Sequence, residues 1–183
     1  MQFELKHVFD ASVEQVIDAM LDPTLADYLK THMKQLQDLK TLERVDEGHL
    51  VRRKIRYVPV PLISSVGPKK VPPEALAWVE ESTFDRRSRE IRFKNVGEHH
   101  EVRKHLENGG VLRFRDLGPG RTERVISGEL KIANLPLLLR PLSPIAEQLI
   151  YANAQKLLNE EARVFNDFVK QRAASAAPAS TAG

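Results

Sequence analysis

From Gln2 to Phe9 the chain alternates, with Phe3, Leu5 and Phe9 on one parity and His7 among them. A period of two is that of a half-buried strand. The period then lengthens. Val13, Val16, Ile17 and Met20 recur at helical spacing behind Ser12 and Gln15, which form a capping-box pair. Leu21-Asp22-Pro23 stops this helix, because a residue before proline avoids the helical region. Thr24 to about Met33 predicts a second short helix with Leu25, Tyr28 and Leu29 inward.

Between Leu36 and Ala133 the period returns to two. Leu36–Val45 and His49–Val58 read as a hairpin around Asp46-Glu47-Gly48. Five prolines make 59–73 a loop. Ala75–Phe84, Arg89–Val96, Glu98–Glu107, Val111–Leu117 and Thr122–Ile132 read as further strands, with Asn108-Gly109-Gly110 as a hairpin turn. Tight turns force antiparallel neighbours. From Ser143 to about Arg172 a single helix is expected, with Ser143 at the cap, Pro144 at the first position and Glu147 in the first turn. At 1.5 Å per residue it is roughly 45 Å long, too long for anything but a partner of sheet size. Residues 173–183 are rich in Ala, Ser and Pro and read as a disordered tail beyond one domain, 1–172.

The expected fold class is therefore α+β: a curved antiparallel sheet of about seven strands wrapped on a long C-terminal helix, with two short helices after the first strand. This order resembles the helix-grip fold of START-like domains (the SRPBCC group), shared with the birch-pollen-allergen family. Phe9-Asp10-Ala11-Ser12-Val13-Glu14-Gln15-Val16 is similar to the opening of many such domains. A bacterial START-like family of unknown function is one home for the chain. Shorter stretches resemble the PRELI lipid-transfer branch: Asp46-x-Gly48-x-Leu50-x-x-Arg53, Glu81-Ser82-Thr83-Phe84-Asp85, Arg92-Phe93-Lys94-Asn95 and Asn153-Ala154-Gln155-Lys156. That branch's early tryptophan is absent, Leu21-Asp22-Pro23 shortens its proline motif, and Leu157 stands where it has glycine. The resemblance implies a cavity between sheet and helix that holds an apolar ligand.

Composition narrows the chemistry. With no cysteine among 183 residues, disulfides, thiolate metal sites and cysteine nucleophiles are excluded. The N-terminal segment lacks the apolar core of a signal peptide, and no run of 18 apolar residues occurs, so a cytoplasmic protein is expected, with peripheral membrane contact allowed. Charge is unevenly spread: residues 1–49 carry five Lys/Arg against ten Asp/Glu, residues 50–95 eleven against five. Such a basic stretch either meets phosphate or forms a solvated strand face. Exposed aromatics for base stacking are not interleaved with it, so nucleic acid is not expected as a partner. No histidine pair has metal-ligand spacing, and no phosphate loop, nucleophile elbow or dinucleotide fingerprint occurs. Neither metal nor cofactor is expected. Glu80, Glu81, Glu98 and Glu101 could supply general acids, but surface strands carry such residues by default, and they read as surface carboxylates.

Polar residues on faces that should turn inward carry the functional signal. Arg53 lies among Val51, Ile55 and Tyr57. It either snorkels, pairs with an internal carboxylate, or meets a ligand anion. Asn153 breaks the apolar stripe of the last helix between Ile150 and Leu157. Its amide needs a partner, in the sheet, in a water, or on a ligand head. Arg53, Tyr57, Trp78, Asn95, Ile150, Asn153 and Leu157 are the candidate ligand-binding residues. Leu62, Ile63 and Val66, and Leu137, Leu138 and Leu139, lie in proline-bounded apolar segments that either plug the cavity ends or act as gates at a membrane. The expected partner is a hydrophobic small molecule or lipid with a polar or anionic head. A cyclase- or hydratase-type enzyme and an interaction module with a filled cavity are the alternatives.

Overall fold

The computed structural model describes residues 1–61, 65–66, 69–70, 72–134, 141 and 143–176. The elements follow the order β1 (Gln2–Phe9), α1 (Val13–Met20), α2 (Leu25–His32), β2 (Leu36–Glu47), β3 (Leu50–Pro59), β4 (Ser65–Val66), β5 (Lys69–Lys70), β6 (Trp78–Asp85), β7 (Glu90–Gly97), α3 (His100–His105), β8 (Leu106–Gly118), β9 (Arg121–Ile132) and α4 (Ser143–Ala176). A 3-10 turn at Pro73–Leu76 precedes β6. Seven strands form one sheet in the order β1-β9-β8-β7-β6-β3-β2, and β4 pairs with β5 apart from it. Every pairing in the large sheet is antiparallel. This is the helix-grip architecture.

Local chemistry explains the elements. Ser12 and Gln15 make the reciprocal capping box of α1, satisfying two orphan amides at once. Gly48 turns the β2–β3 hairpin at φ 67°, where a side chain is disfavoured. β2 brings acids and β3 brings bases, and they pair across the ladder: Glu47 with Arg52, Glu43 with Lys54, Asp38 with Arg56. Arg56 also makes a bidentate bond to Glu98. The uneven charge of the sequence is thus largely an internal complementarity.

Two expectations are corrected. Glu98–Glu107 is not a strand: His100–His105 is helical, and α3 leans on Gly97, where a β-carbon would lie 2.6 Å from Val102 Cγ1. Asn108-Gly109-Gly110 is not a turn either. These residues sit inside β8, paired to Asn95, Lys94 and Phe93 on one side and to Leu130, Glu129 and Gly128 on the other. Neither glycine has a positive φ. Gly110 is there for closeness, since a β-carbon on it would stand 2.3 Å from the Ser127 carbonyl.

The most deeply buried part of the core lies where α1, α2 and the C-terminal part of α4 meet the sheet. Phe9 meets Phe165 edge-to-face, Tyr28 tilts against Phe168, and Val16, Val51, Phe84, Ile91 and Val164 close around them. The space ringed by Ile17, Met20, Leu21, Phe84, Ile91 and Phe114 has no room for a water-sized sphere. Helix α4 crosses β1 and β9, its Tyr151 near Phe3 and its Phe165 on Phe9. It ends at Ala176; residues 177–183, including most of the expected tail, lie outside the described set.

Candidate functional site

Strand register brings further inward residues of the sheet into two adjacent rows. One row runs Ile55, Glu80, Asn95, Asn108, Leu130 across β3, β6, β7, β8 and β9. The next runs Arg53, Ser82, Phe93, Gly110, Gly128, Phe3. With strands about 4.8 Å apart, Glu80, Asn95 and Asn108 span roughly 10 Å. Val51, Phe84 and Ile91, two residues along from the second row, are buried, so both rows face the concave side.

Four polar side-chain atoms on this wall are shut from solvent and have no hydrogen-bond partner among the described residues: Arg53 Nε, Ser82 Oγ, Asn95 Oδ1 and Asn108 Oδ1. They come from four consecutive strands of the sheet. Leaving one such group unpaired costs on the order of 1–3 kcal/mol, so a cluster of four is a feature that folding alone does not favour. Arg53 is partly engaged, its Nη1 donating to the Met20 carbonyl at 2.9 Å. Glu80 lies deep in protein yet keeps accessible surface, and so does Tyr57. Both therefore lie on the concave side without being sealed from solvent. Burial pushes the Glu80 carboxyl above its ordinary range, against the pull of Arg53. The Ser82 hydroxyl lies close enough to favour the carboxylate but falls outside hydrogen-bond geometry. Burial, with Glu80 beside it, also pushes the Tyr57 phenol well above 10.

A second charged cluster flanks this wall. Arg124 is only 2% exposed and donates to Glu161 of α4 at 3.0 Å, with its Nη2 3.2 Å from His7 Nδ1 and its plane over Phe9. His7 Nε2 meets Asn159 at 3.0 Å. Burial, then the Arg124 charge, hold the His7 pKa below its ordinary value. This cluster is internally paired except at Arg124 Nε.

The sequence-derived residues fall as follows. Arg53, Tyr57, Trp78 and Asn95 converge on the concave face, and Tyr57 and Trp78 stack as a cross-strand pair at 5.1 Å and 2°. Leu157 packs on the edge of the core, and Ile150 and Asn153 are half-buried on α4. Leu62, Ile63, Leu137, Leu138 and Leu139 lie outside the described residues, as does the side chain of Val66 at the end of β4. Glu80, Ser82 and Asn108 were missed. Glu80 is not a surface carboxylate: it shares parity with Trp78 and Phe84, and that parity was the available signal. Among the described residues no cluster of side chains suits a metal ion, and no helix is long and apolar enough to cross a membrane. A separate cleft of about 250 Å³ beside α1 is lined by Glu14, Ile17, Asp18, Phe84, Arg86 and Arg89; four of these are charged and exposed, which makes it a surface groove.

Comparison with solved structures defines the class as helix-grip. The Zhui aromatase/cyclase from Streptomyces sp. R1128 superposes with a TM-score of 0.65 at 13% identity, covering 94% of this chain and 95% of its own. Norcoclaurine synthase from Thalictrum flavum, in complex with dopamine and hydroxybenzaldehyde, gives 0.63 at 15% identity over 93% and 87%. A protein from Thermus thermophilus gives 0.65 at 19% identity over 94% and 99%. Identities this low establish the fold and nothing finer. No family model matches the chain, and no curated protein matches it by sequence.

Proposed function

We propose that this chain binds an apolar small molecule, a lipid in the broad sense, in the hollow between the concave sheet and α4. The ligand's polar head would sit against Arg53, Glu80, Asn95 and Asn108, and its apolar body against Tyr57, Trp78, Phe93 and α4. The observation that carries this reading is the group of orphaned polar atoms on four neighbouring strands. A head that bonds to them removes their desolvation penalty, and each buried methylene of the body adds about 0.8 kcal/mol. That two helix-grip neighbours are named as an aromatase/cyclase and a synthase held with aromatic compounds supports a small-molecule role for such a hollow. Exchange at a membrane is the finer part of the proposal. Ile145 and Leu149, 60% and 62% exposed at the start of α4, adjoin the apolar segment 135–142 in sequence and support contact there.

A second reading is favoured by Glu80. A carboxyl whose pKa burial raises, with a guanidinium nearby, suits general acid–base work on a bound ligand. Native mass spectrometry after gentle purification, followed by extraction and identification of small molecules, tests the binding proposal. Protein that carries none, and takes up none from liposomes, sinks it. Conversion of an extracted ligand by added protein would favour the enzyme.

A further inference from the structure

We infer that the head-group site selects a neutral hydroxyl, an alcohol or a phenol, over a carboxylate or phosphate. The inference rests on the binding reading above and names its ligand class.

The charges near the site already balance. Arg53 and Arg124 on one side and Glu80 and Glu161 on the other are the groups whose fields reach the hollow. Arg124 is committed to Glu161 and His7. Arg53 uses Nη1 on the Met20 carbonyl. What remains unpaired among the described residues is one N–H on each guanidinium, one serine hydroxyl and two amide oxygens, with the Glu80 carboxyl in the same row as the amides. The row Glu80–Asn95–Asn108 therefore presents acceptor oxygens from three side chains, beside the amide N–H groups of the two asparagines.

An anionic head brings only acceptors. Set against that row it would leave both amide oxygens unpaired and place a second carboxylate beside Glu80, where like charges in a desolvated space disfavour each other. A hydroxyl both donates and accepts. It can give its proton to Asn95 or Asn108 Oδ1 and receive one from Arg53 Nε or Ser82 Oγ. A neutral head also leaves the local charge balance undisturbed. The stacked Tyr57–Trp78 pair at one flank and Phe93 at the other suit a ring next to that hydroxyl.

Two probes of matched skeleton test this: 2-naphthol and 2-naphthoate, titrated calorimetrically near neutral pH into ligand-stripped protein. The expected result is 2-naphthol binding about tenfold or more tighter, the ratio that one unmade buried hydrogen bond produces. Glu80→Gln should tighten 2-naphthoate several-fold and so narrow the ratio between the two probes, which locates the discrimination at this site. Naphthoate binding as tightly as naphthol, or an unchanged naphthoate affinity in E80Q, overturns the inference and leaves the binding reading standing. Saturable binding of neither probe overturns both.

Discussion

Replacing the orphaned amides should make the protein more stable. Asn95 and Asn108 are direct cross-strand partners, and each holds a carbonyl oxygen shut from solvent without a donor. Leucine is close to asparagine in shape and asks for no partner. Asn108→Leu removes one unsatisfied acceptor, a penalty of about 1–3 kcal/mol, and adds apolar contact beside Leu130. Loss of whatever the amide N–H groups contribute offsets part of this, so a net gain of about 1 kcal/mol is expected for each single variant. The two sites touch, so the double variant should gain less than the sum. For a domain of this size each kcal/mol is worth about 2–4 °C in Tm. Urea unfolding of ligand-stripped protein gives the comparison, read as a higher midpoint at unchanged slope. Stripping matters, because a retained ligand would stabilise the wild type by mass action. Destabilisation by about 1 kcal/mol or more, with the slope unchanged, would show that the amide oxygens are satisfied within the fold. The reasoning from orphaned atoms to a ligand site would then fail.

Other expectations follow from the same geometry. Glu80 has a raised pKa in the folded state, so the unfolded chain releases that proton first, and stability falls as pH rises above the ordinary value of 4.5. Glu80→Gln should therefore be more stable than wild type near neutral pH and equal to it below about pH 4; an advantage independent of pH would refute the assignment. Glu161→Ala strands the buried Arg124 guanidinium and should destabilise by about 3–5 kcal/mol, measured by denaturation, whereas a loss under 1 kcal/mol would mean water reaches it. Gly110→Ala drives a methyl into the Ser127 carbonyl, so a loss of about 1–3 kcal/mol is expected, and an unchanged melting temperature would mean that β8 and β9 are less closely apposed.

Most of the fold was legible because it is written in period. The alternation of β1, the hairpin at Gly48 and the uninterrupted stretch after Ser143 each specify an element without tertiary knowledge. The site was half legible for the opposite reason. Arg53 stands out against apolar neighbours, but a glutamate in a strand is read as exposed unless its parity is checked against Trp78 and Phe84. Asn108-Gly109-Gly110 misled because glycine serves two ends that look alike in sequence. One is a positive φ, as at Gly48; the other is close approach, as at Gly110. Only the pairing of β8 with both β7 and β9 tells them apart. The basic stretch was ambiguous alone and became plain once β2 supplied its carboxylates.

Helix α4 is held in different ways along its length. Its C-terminal half is seated by apolar burial: Phe165, Phe168 and Val169 have almost no exposed surface. Its N-terminal half is held by polar pins at the sheet edge. Glu147 accepts the Ile132 amide at 3.0 Å and the Met1 amine at 3.0 Å, Tyr151 leans on Phe3, and Asn159 meets His7. Pins fix the position of a helix without filling the space beneath it. Apolar residues there would close onto the Glu80 carboxyl, which keeps accessible surface, and bury it without water, at a cost of several kcal/mol. The polar rows therefore resist collapse of the helix onto the sheet, and the pins hold it at the spacing they require. Breaking a pin, as in Glu147→Ala, should loosen the N-terminal half of α4 and weaken ligand binding more than it lowers the melting temperature. Hydrogen exchange would show faster opening confined to that half, and equal loosening along the whole helix would refute the division.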